Sequence, residues 1–132
     1  VLDRLLDLLT VTVLRETLAS TPAHPTDELI AAVLRTIHQH PERPWRVQSL
    51  ASRAGLSRAA LARRFTQQVG EPPLTHLTRW RLALAADLLA GTDLTLSTIA
   101  PRVGYANAFA LSAAFKRVHG TSPSSYRASH SA

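Results

Sequence analysis

The sequence LASRAGLSRAALARRFTQQVGEPP at residues 50–73 returns, with altered residues but nearly the same spacing, as IAPRVGYANAFALSAAFKRVHGTSP at residues 99–123. The offset between the two copies is 49 residues up to their first glycine and 50 residues after it. A repeat that keeps both its glycines and its apolar spacing indicates a duplicated structural unit. The matched positions are Leu50, Ala51, Gly55, Leu61, Phe65, Gly70 and Pro73 in the first copy, and Ile99, Ala100, Gly104, Leu111, Phe115, Gly120 and Pro123 in the second.

Each copy has the pattern of two short helices joined by a tight turn. In the first copy, Gly55 can adopt the positive φ that ends a helix, and Ser57 can cap the next helix. Leu61 and Phe65 are four residues apart, so they lie on one face of that second helix and are expected to be buried. The sequence therefore predicts a helix-turn-helix unit.

The second copy has the same parts, with Gly104 ending the first helix, Asn107 capping the second, and one extra residue in the turn. The two units are expected at about 46–70 and 95–119, with one long, stiff linker helix at about 73–90. No segment has the pattern of a β-strand. The predicted fold is all-α: two helix-turn-helix subdomains joined by a long rigid linker helix and preceded by an N-terminal helical segment.

Two further helical patterns flank or join these units. Thr26, Asp27 and Glu28 predict a helix start, because an Asx or Thr cap and early acidic residues favour the helix N-terminus. The residues expected to be buried along that helix are Leu29, Ile30, Val33, Leu34 and Ile37, and those along the linker helix are Leu74, Leu77, Leu84, Leu88 and residues 80–85.

The positive charge of the chain is concentrated where the repeats lie. The net charge is +6, but its distribution is uneven. Residues 1–42 carry three arginines and six acidic residues, and residues 43–132 carry twelve basic and three acidic residues. Such asymmetry is typical of nucleic-acid binding, because neutralising phosphates releases counterions and supplies most sequence-independent affinity. The chain has no cysteine, no transmembrane run and no signal peptide, which fits a cytoplasmic, nucleoid-associated protein.

At these residues the chain resembles the C-terminal DNA-binding domain of the AraC/XylS transcription regulators. The resemblance covers roughly residues 26–128. Three blocks carry it: Trp45, Leu50–Ala51, Ala54–Arg58, Leu61–Phe65, Gly70 and Pro72–Leu74; Leu77–Leu82, Ala85 and Leu88–Leu89; and Ile99–Ala100, Val103–Tyr105, Phe115–Arg117, Gly120, Ser122–Pro123 and Tyr126–Arg127.

The resemblance implies a domain order for the chain. Residues 1–21 resemble the helical end of the cupin-type sensing domain found in one branch of the family, and their apolar residues occupy two helix faces. Such a helix needs two partners, and pairing of subunits through residues 1–20 is one expectation; fraying at a chain end is the alternative. Residues 22–25 are expected to be a linker and residues 26–132 the DNA-binding domain. Since the chain begins with Val1, we expect it to be part of a longer protein.

The first unit is predicted to read bases. Arg63 is the main candidate, because a guanidinium can bridge O6 and N7 of guanine, although a solvated or phosphate-bound arginine is the alternative. Ala59 and Ala62 would permit close approach or contact a thymine methyl group. Arg58 is a further candidate for base contact, with phosphate or solvent as its alternative; Arg64 is expected to meet phosphate or solvent.

The second unit has a less polar outward face. Ala108, Phe109 and Ser112 are its candidates for base contact, through thymine methyl groups and one weak hydrogen bond. Family members commonly carry Arg at position 113, where this chain has Ala, and more polar residues at 108 and 109. The first unit is therefore expected to carry most of the direct reading. The expected phosphate contacts are Arg46, Ser57, Arg79, Asn107, Lys116 and Arg117.

Two other features depart from the family pattern. His76 stands where Tyr is usual. Pro101 lies inside a predicted helix, where it loses one backbone hydrogen bond to the Ser97 carbonyl and should bend or shorten the helix.

Other classes of function fit the sequence less well. No nucleophile, base and orienting group come together, so an enzyme is not expected, nor is a cofactor or catalytic residue. His38 and His40 lack an acidic or cysteine partner nearby, so surface histidines are expected there and no metal. A module binding acidic proteins or RNA remains the rival, although Phe65, Trp80 and Phe115 have core spacing. Double-stranded DNA is the expected partner, RNA polymerase a possible one, no membrane is expected, and an effector would bind the upstream domain.

Overall fold

The computed structural model describes residues 27–130, which form seven α-helices and no β-strand. The expected N-terminal helix, the linker at residues 22–25 and Thr26 lie outside the described residues. No helix within that range is long and apolar enough to cross a bilayer. The helices are α1 (Glu28–Gln39), α2 (Val47–Ala54), α3 (Arg58–Val69), α4 (Pro73–Gly91), α5 (Leu96–Val103), α6 (Ala108–His119) and α7 (Pro123–His130). The all-α prediction is confirmed for this part of the chain.

The described residues divide into two compact units, with the division between Arg79 and Trp80 inside α4. The first unit begins with α1, where the Asp27 carboxylate accepts hydrogen bonds from the backbone N–H groups of Leu29 and Ile30 at 3.2 and 3.4 Å. Leu29 is 38% exposed, so the prediction that it is buried is wrong. The core of this unit contains Ile30, Val33, Ile37, Leu50, Ala51, Leu61, Phe65 and Leu77.

The inward stripe of α1 explains why Leu29 stays outside. Ile30, Val33 and Ile37 are spaced by three and four residues and are all at most 3% exposed. Leu29 is rotated by about 100° from Ile30, which brings it to the edge of that stripe. Leu34 lies on the other side and is partly buried against the same core.

The turn between α2 and α3 is built from short-range hydrogen bonds. Gly55 has φ 71°, and its N–H donates to the Ser52 carbonyl at 3.2 Å. The next N–H, from Leu56, donates to the Ala51 carbonyl at 2.9 Å, which completes a Schellman motif. The Ser57 hydroxyl then accepts from the Ala60 N–H at 3.1 Å and caps α3 as predicted.

The second unit repeats this turn with one more residue. Gly104 has φ 100°, its N–H donates to the Pro101 carbonyl at 3.3 Å, and the Tyr105 N–H donates to the Ala100 carbonyl at 2.8 Å. The Asn107 side chain accepts from the Ala110 N–H at 2.8 Å and caps α6 as predicted. The core of this unit contains Leu82, Ala85, Ala86, Leu88, Leu89, Ile99, Ala100, Val103, Leu111, Ala114 and Phe115.

Pro101 lies inside α5, but it does not shorten that helix. α5 and α2 are each eight residues long and end in the same hydrogen-bonded turn. Pro101 and Ser97 are both exposed, so solvent can reach the carbonyl that loses its N–H donor. The expected shortening is therefore wrong.

The linker helix α4 has 19 residues and contributes to the core of each unit. Leu77 is buried in the first unit, and Leu82, Ala85 and Leu89 are buried in the second. Leu74 is 39% exposed, so the prediction that it is buried is wrong. It lies in the first turn of α4, at the edge of the first unit's core.

The C-terminal end of α4 is closed by Arg127 of α7. Its Nε donates to the Leu89 carbonyl at 3.0 Å, and its Nη2 donates to the Leu94 carbonyl at 2.6 Å. The last carbonyls of a helix have no partner within the helix, so the bond to Leu89 satisfies one of them, and the bond to Leu94 holds the loop that follows α4. Arg127 therefore connects α7 to α4 within the second unit.

Candidate DNA interface

The outward face of α3 carries Arg63 with small residues around it. Arg63 is rotated by roughly 160–200° from Leu61 and Phe65, the two buried residues of α3. Arg63 and Ala59 are exposed, and Ala62 is partly buried at the edge of the face. Arg58 is also exposed, at the first position of the helix. The fold thus brings the four candidate residues of the first unit onto α3 with Arg63 farthest from the core.

Arg64, the neighbour of Arg63, has a structural partner instead of an outward face. Its Nε and Nη2 donate to the two carboxylate oxygens of Asp27 at 2.7 and 2.8 Å. This hydrogen-bonded guanidinium holds the pKa of the Asp27 carboxyl below its usual value. The expectation for Arg64 is phosphate or solvent; the structure instead gives it Asp27 as a partner, and this ion pair connects α3 to the start of α1.

Arg46 and Ser57 lie at the N-termini of the two helices of the first unit. Arg46 is the exposed N-cap residue of α2, and its backbone N–H donates to the Ser49 hydroxyl at 2.9 Å. The exposed Ser57 hydroxyl accepts the capping bond of α3, and its own O–H remains a donor. Both residues stand beside helix N-termini, whose N–H groups and dipole favour anions.

Arg79, the phosphate candidate on the linker helix, is joined to a chain of polar side chains. Its Nη1 donates to the Glu71 carboxylate at 3.0 Å, while its side chain stays 65% exposed. A guanidinium carries five N–H donors, so this ion pair leaves others for a phosphate. The opposite oxygen of Glu71 lies 3.0 Å from His76 Nδ1.

Beyond His76, the polar chain reaches α1 through His38. The Nε2 atoms of His38 and His76 are 2.9 Å apart, and the Phe65 and His76 rings are in an edge-to-face arrangement with their centroids 5.8 Å apart. Because Nδ1 of His76 faces the Glu71 carboxylate, its Nδ1–H is the donor there. Burial lowers the pKa of His38 to about 4, and His76 contributes to the lowering.

The expectation that His38 is a surface histidine is therefore wrong. Its partner lies 38 residues away, and no local pattern identified it. The replacement of the usual Tyr by His76 was the available signal. His40 does lie near the surface, but its ring is 3.5 Å from the Glu42 carboxylate, so the expectation that it lacks an acidic partner nearby is wrong. Among the residues that the structure describes, no group of three His, Cys, Asp or Glu side chains could hold a metal ion.

The outward face of α6 is mainly apolar. Phe109 is 83% exposed, and Ala113 and Lys116 are exposed on the following turns. Ala108 and Ser112 are partly buried beside them, and Asn107 is exposed at the N-cap. Lys116 and Arg117 lie in the last turn of the helix, where basic side chains complement the helix dipole.

Three aromatic residues have the positions that their spacing predicts. Phe65 and Phe115 are fully buried, and Trp80 is 5% exposed. Tyr126 is partly buried, with its ring edge against Phe115 at a centroid distance of 5.4 Å. These rings belong to the cores and not to the outward faces.

Comparison with known proteins also identifies helix-turn-helix structure in this part of the chain. The family described as "Helix-turn-helix domain" matches residues 50–129. A putative AraC-like transcription regulator of Streptomyces lividans is 48% identical over 101 residues, which are 76% of this chain and 33% of that protein. The HTH-type transcriptional regulator AlkR of Acinetobacter baylyi is 43% identical over 98 residues, 74% of this chain and 32% of that protein. The chain spans about a third of the length of these curated relatives.

Two solved structures are similar in both fold and sequence. The C-terminal domain of AraT, a response regulator from Geobacillus stearothermophilus, has a TM-score of 0.79 and 30% identity, covering 83% of this chain and 91% of that one. The DNA-binding domain of AdpA, solved in complex with a target DNA, has a TM-score of 0.72 and 35% identity, covering 76% of this chain and 90% of that one. With its repeated helix-turn-helix units and these relatives, the chain belongs to the AraC family of transcription regulators.

Proposed function

We propose that this chain binds double-stranded DNA sequence-specifically and regulates transcription through its two helix-turn-helix units. The observation that carries the proposal is that each unit presents one capped helix, α3 or α6, whose outward face takes no part in the core of the unit. The twelve arginine and lysine residues within residues 43–132 supply positive charge that can neutralise DNA phosphates. The related AdpA domain was crystallised on a target DNA, and the curated relatives are named transcription regulators, which supports the same role here.

In this proposal, Arg63 carries the main base contact. It stands on the outward side of α3, where an exposed guanidinium can pair with guanine O6 and N7 in the major groove. Ala59 and Ala62 permit close approach, and Arg58 stands at the N-terminus of the helix as a further contact. The outward face of α6, with Ala108, Phe109 and Ser112, has no bidentate donor and contributes less to discrimination between bases.

The phosphate contacts position the domain on the duplex without reading sequence. They are proposed for residues at helix N-termini and for exposed arginine and lysine residues beside or on α3 and α6. Arg79 keeps this role despite its ion pair with Glu71. The proposed set is Arg46, Ser57, Arg79, Asn107, Lys116 and Arg117.

Substitution of single residues tests these assignments. A preferred duplex is first selected from a random library with the 132-residue chain, and binding is then measured to it and to single-base variants. Arg63→Ala should lower discrimination at one guanine by about 1–3 kcal/mol. Arg35→Ala is the matched control, since Arg35 is exposed on α1, away from the outward face of α3. If Ser112→Ala relaxes sequence preference more than Arg63→Ala, the assignment of roles is wrong.

The salt dependence of binding tests the phosphate contacts. Arg46→Ala should weaken binding to all sequences similarly and reduce the slope of log K against log salt concentration by about one. An unchanged slope would remove Arg46 from the set.

A competition assay separates DNA binding from the alternative, a module for RNA or acidic proteins. The selected duplex should compete far better than its single strands or the corresponding RNA at moderate salt. Equal competition by any polyanion would favour the alternative.

Further proposals concern the domain order and the partners of the protein. We propose that residues 1–21 belong to an upstream domain, that residues 22–25 are a linker, and that residues 26–132 form the DNA-binding domain. An effector would bind the upstream domain, subunits would pair through residues 1–20, and RNA polymerase would be a partner in the cytoplasm. Selecting duplexes with and without residues 1–20 tests the pairing, since a dimer selects two copies of the sequence that a single chain selects.

A further inference from the structure

Phe109 is the most exposed large apolar side chain in the part of the chain that the structure describes. It retains 83% of its accessible surface, against 49% for Val118, 39% for Leu74 and 38% for Leu29. Phe109 is rotated by roughly 140–240° from Leu111, Ala114 and Phe115, the buried residues of α6. The side chain thus points directly away from the core, and the fold gains little from it.

The second and sixth positions of α3 and of α6 lie on the outward face, and in each helix one of these two positions holds a long side chain. α3 has Ala59 at its second position and Arg63 at its sixth, whereas α6 has Phe109 at its second and Ala113 at its sixth. The alanine in each pair leaves room beside the long side chain. By its position, Phe109 is therefore the counterpart of a base-reading residue, with an aromatic ring in place of a hydrogen-bonding group.

The surroundings of Phe109 favour a duplex as its partner over an apolar protein surface. Lys116 lies about 20° from Phe109 around α6, two turns later, and the exposed Asn107 cap precedes Phe109 in the chain. The Phe109 ring lies between the Lys116 cation and the N-terminus of α6, and both of these favour anions. Such a surface matches a polyanion that exposes an apolar group between its charges. In the major groove, that group is the methyl at C5 of a pyrimidine.

Resting on the proposed function, we propose that Phe109 reads the C5-methyl group of one pyrimidine and is the main specificity determinant of the second unit. Thymine is the ordinary source of this group, and 5-methylcytosine carries the same methyl at the same position. The second half-site would then be recognised by apolar contact and not by hydrogen bonds. Binding at that half-site would respond to removal of a single methyl group.

Base analogues test this inference on the duplex selected with the 132-residue chain. Replacing thymines one at a time by deoxyuridine should weaken binding about fourfold at one position, since a buried methyl group contributes about that factor. The effect should vanish in Phe109→Ala and persist in Val118→Ala, a matched exposed residue of the same helix. If cytosine replaces that thymine, 5-methylation of the cytosine should recover part of the binding.

The variant is expected to fold, because Phe109 is so exposed, and an unchanged unfolding midpoint confirms that losses arise at the DNA. Equal binding of thymine and deoxyuridine duplexes at every position would overturn the inference, as would methyl sensitivity that survives in Phe109→Ala. A change in self-association of Phe109→Ala without DNA, with no effect on binding, would also overturn it. If the chain selects no duplex at all, the proposed function itself fails; if Arg63-dependent selection remains without methyl sensitivity, only this inference fails.

Discussion

At the residue scale, Arg63 and Arg64 show how one step along a helix changes the role of an arginine. A helix turns by about 100° per residue, so Arg63 faces outward while Arg64 reaches Asp27. The Asp27 carboxylate is 12% exposed and also accepts the capping hydrogen bonds of α1. The ion pair therefore connects α3 to a helix start.

Arg64→Ala should lower the free energy of unfolding by about 1–3 kcal/mol, because it leaves a largely buried carboxylate without its cation. The expected loss is below that of a fully buried pair, since the Arg64 side chain is 34% exposed. Urea unfolding of the wild type and the variant measures it. Arg63→Ala is the matched control and should change stability by less than about 0.5 kcal/mol. Equal losses in the two variants would contradict the assignment.

The His38–His76 contact gives the fold a dependence on pH. The pKa of His38 falls from 6.5 to about 4 on folding, so the unfolded chain binds a proton more readily. The contribution of neutral, buried His38 to the free energy of unfolding should be fully present above pH 6.5. It should fall by about 2 kcal/mol as the pH drops toward 4, after allowance for partial exposure. The lowered pKa of Asp27 acts in a separate, more acidic window, below its usual value of 3.8.

Urea unfolding between pH 7 and pH 4.5 tests this prediction. His38→Gln keeps a hydrogen-bonding side chain beside His76 but removes the titrating group, so its stability should change less over that range. Parallel pH profiles for the two proteins would show that His38 is not the group responsible.

At the element scale, α2 and α5 are matched helices that differ at one informative position. Both end with a glycine in the left-handed region, and both place the same two hydrogen bonds around it. Pro101 stands where the first copy has Ser52, since the carbonyl oxygen of each accepts from the N–H of the turn glycine. The geometry of the turn is thus independent of the proline.

Pro101→Ser should therefore stabilise the second unit, by about 1–3 kcal/mol, because it restores the N–H donor to the Ser97 carbonyl and relieves the ring clash. The reciprocal change, Ser52→Pro, should destabilise the first unit by a similar or larger amount. Thermal unfolding of both variants measures the two effects. Loss of stability in Pro101→Ser would show that the proline contributes through the unfolded chain.

At the scale of the whole molecule, α4 is the element that both units share. Its 19 residues form one unbroken helix, with core residues of the first unit before Arg79 and of the second unit after it. We propose that α3 and α6, joined through the continuous helix α4, engage successive major-groove segments of one duplex.

The spacing of the two half-sites tests this proposal. Inserting about five base pairs between them should weaken binding at least tenfold, because the two units can no longer engage the duplex together and the gain from linkage is lost (~10²–10⁴ at full effect). Changing the intervening bases without changing their number is the control and should have little effect. Equal affinity at every spacing would contradict the joint engagement of one duplex by the two units.

Local chemistry accounts for what could be predicted from the order of residues alone. The repeated unit, the caps at Ser57 and Asn107, and the turns at Gly55 and Gly104 depend on groups a few residues apart, so the sequence contains them completely. Burial of Phe65 and Phe115 follows from helical spacing. Spacing was a weaker guide at helix edges, where Leu29 and Leu74 are exposed.

Packing of distant elements decided the remainder. Arg64 and Asp27 are 37 residues apart, His38 and His76 are 38 apart, and Arg127 reaches carbonyls 38 and 33 residues away. Helical periodicity states which side of an element faces inward, but not which residue of another element it meets there. Only the tertiary structure therefore separated the arginines with partners in the fold, such as Arg64 and Arg127, from those that are exposed, such as Arg63.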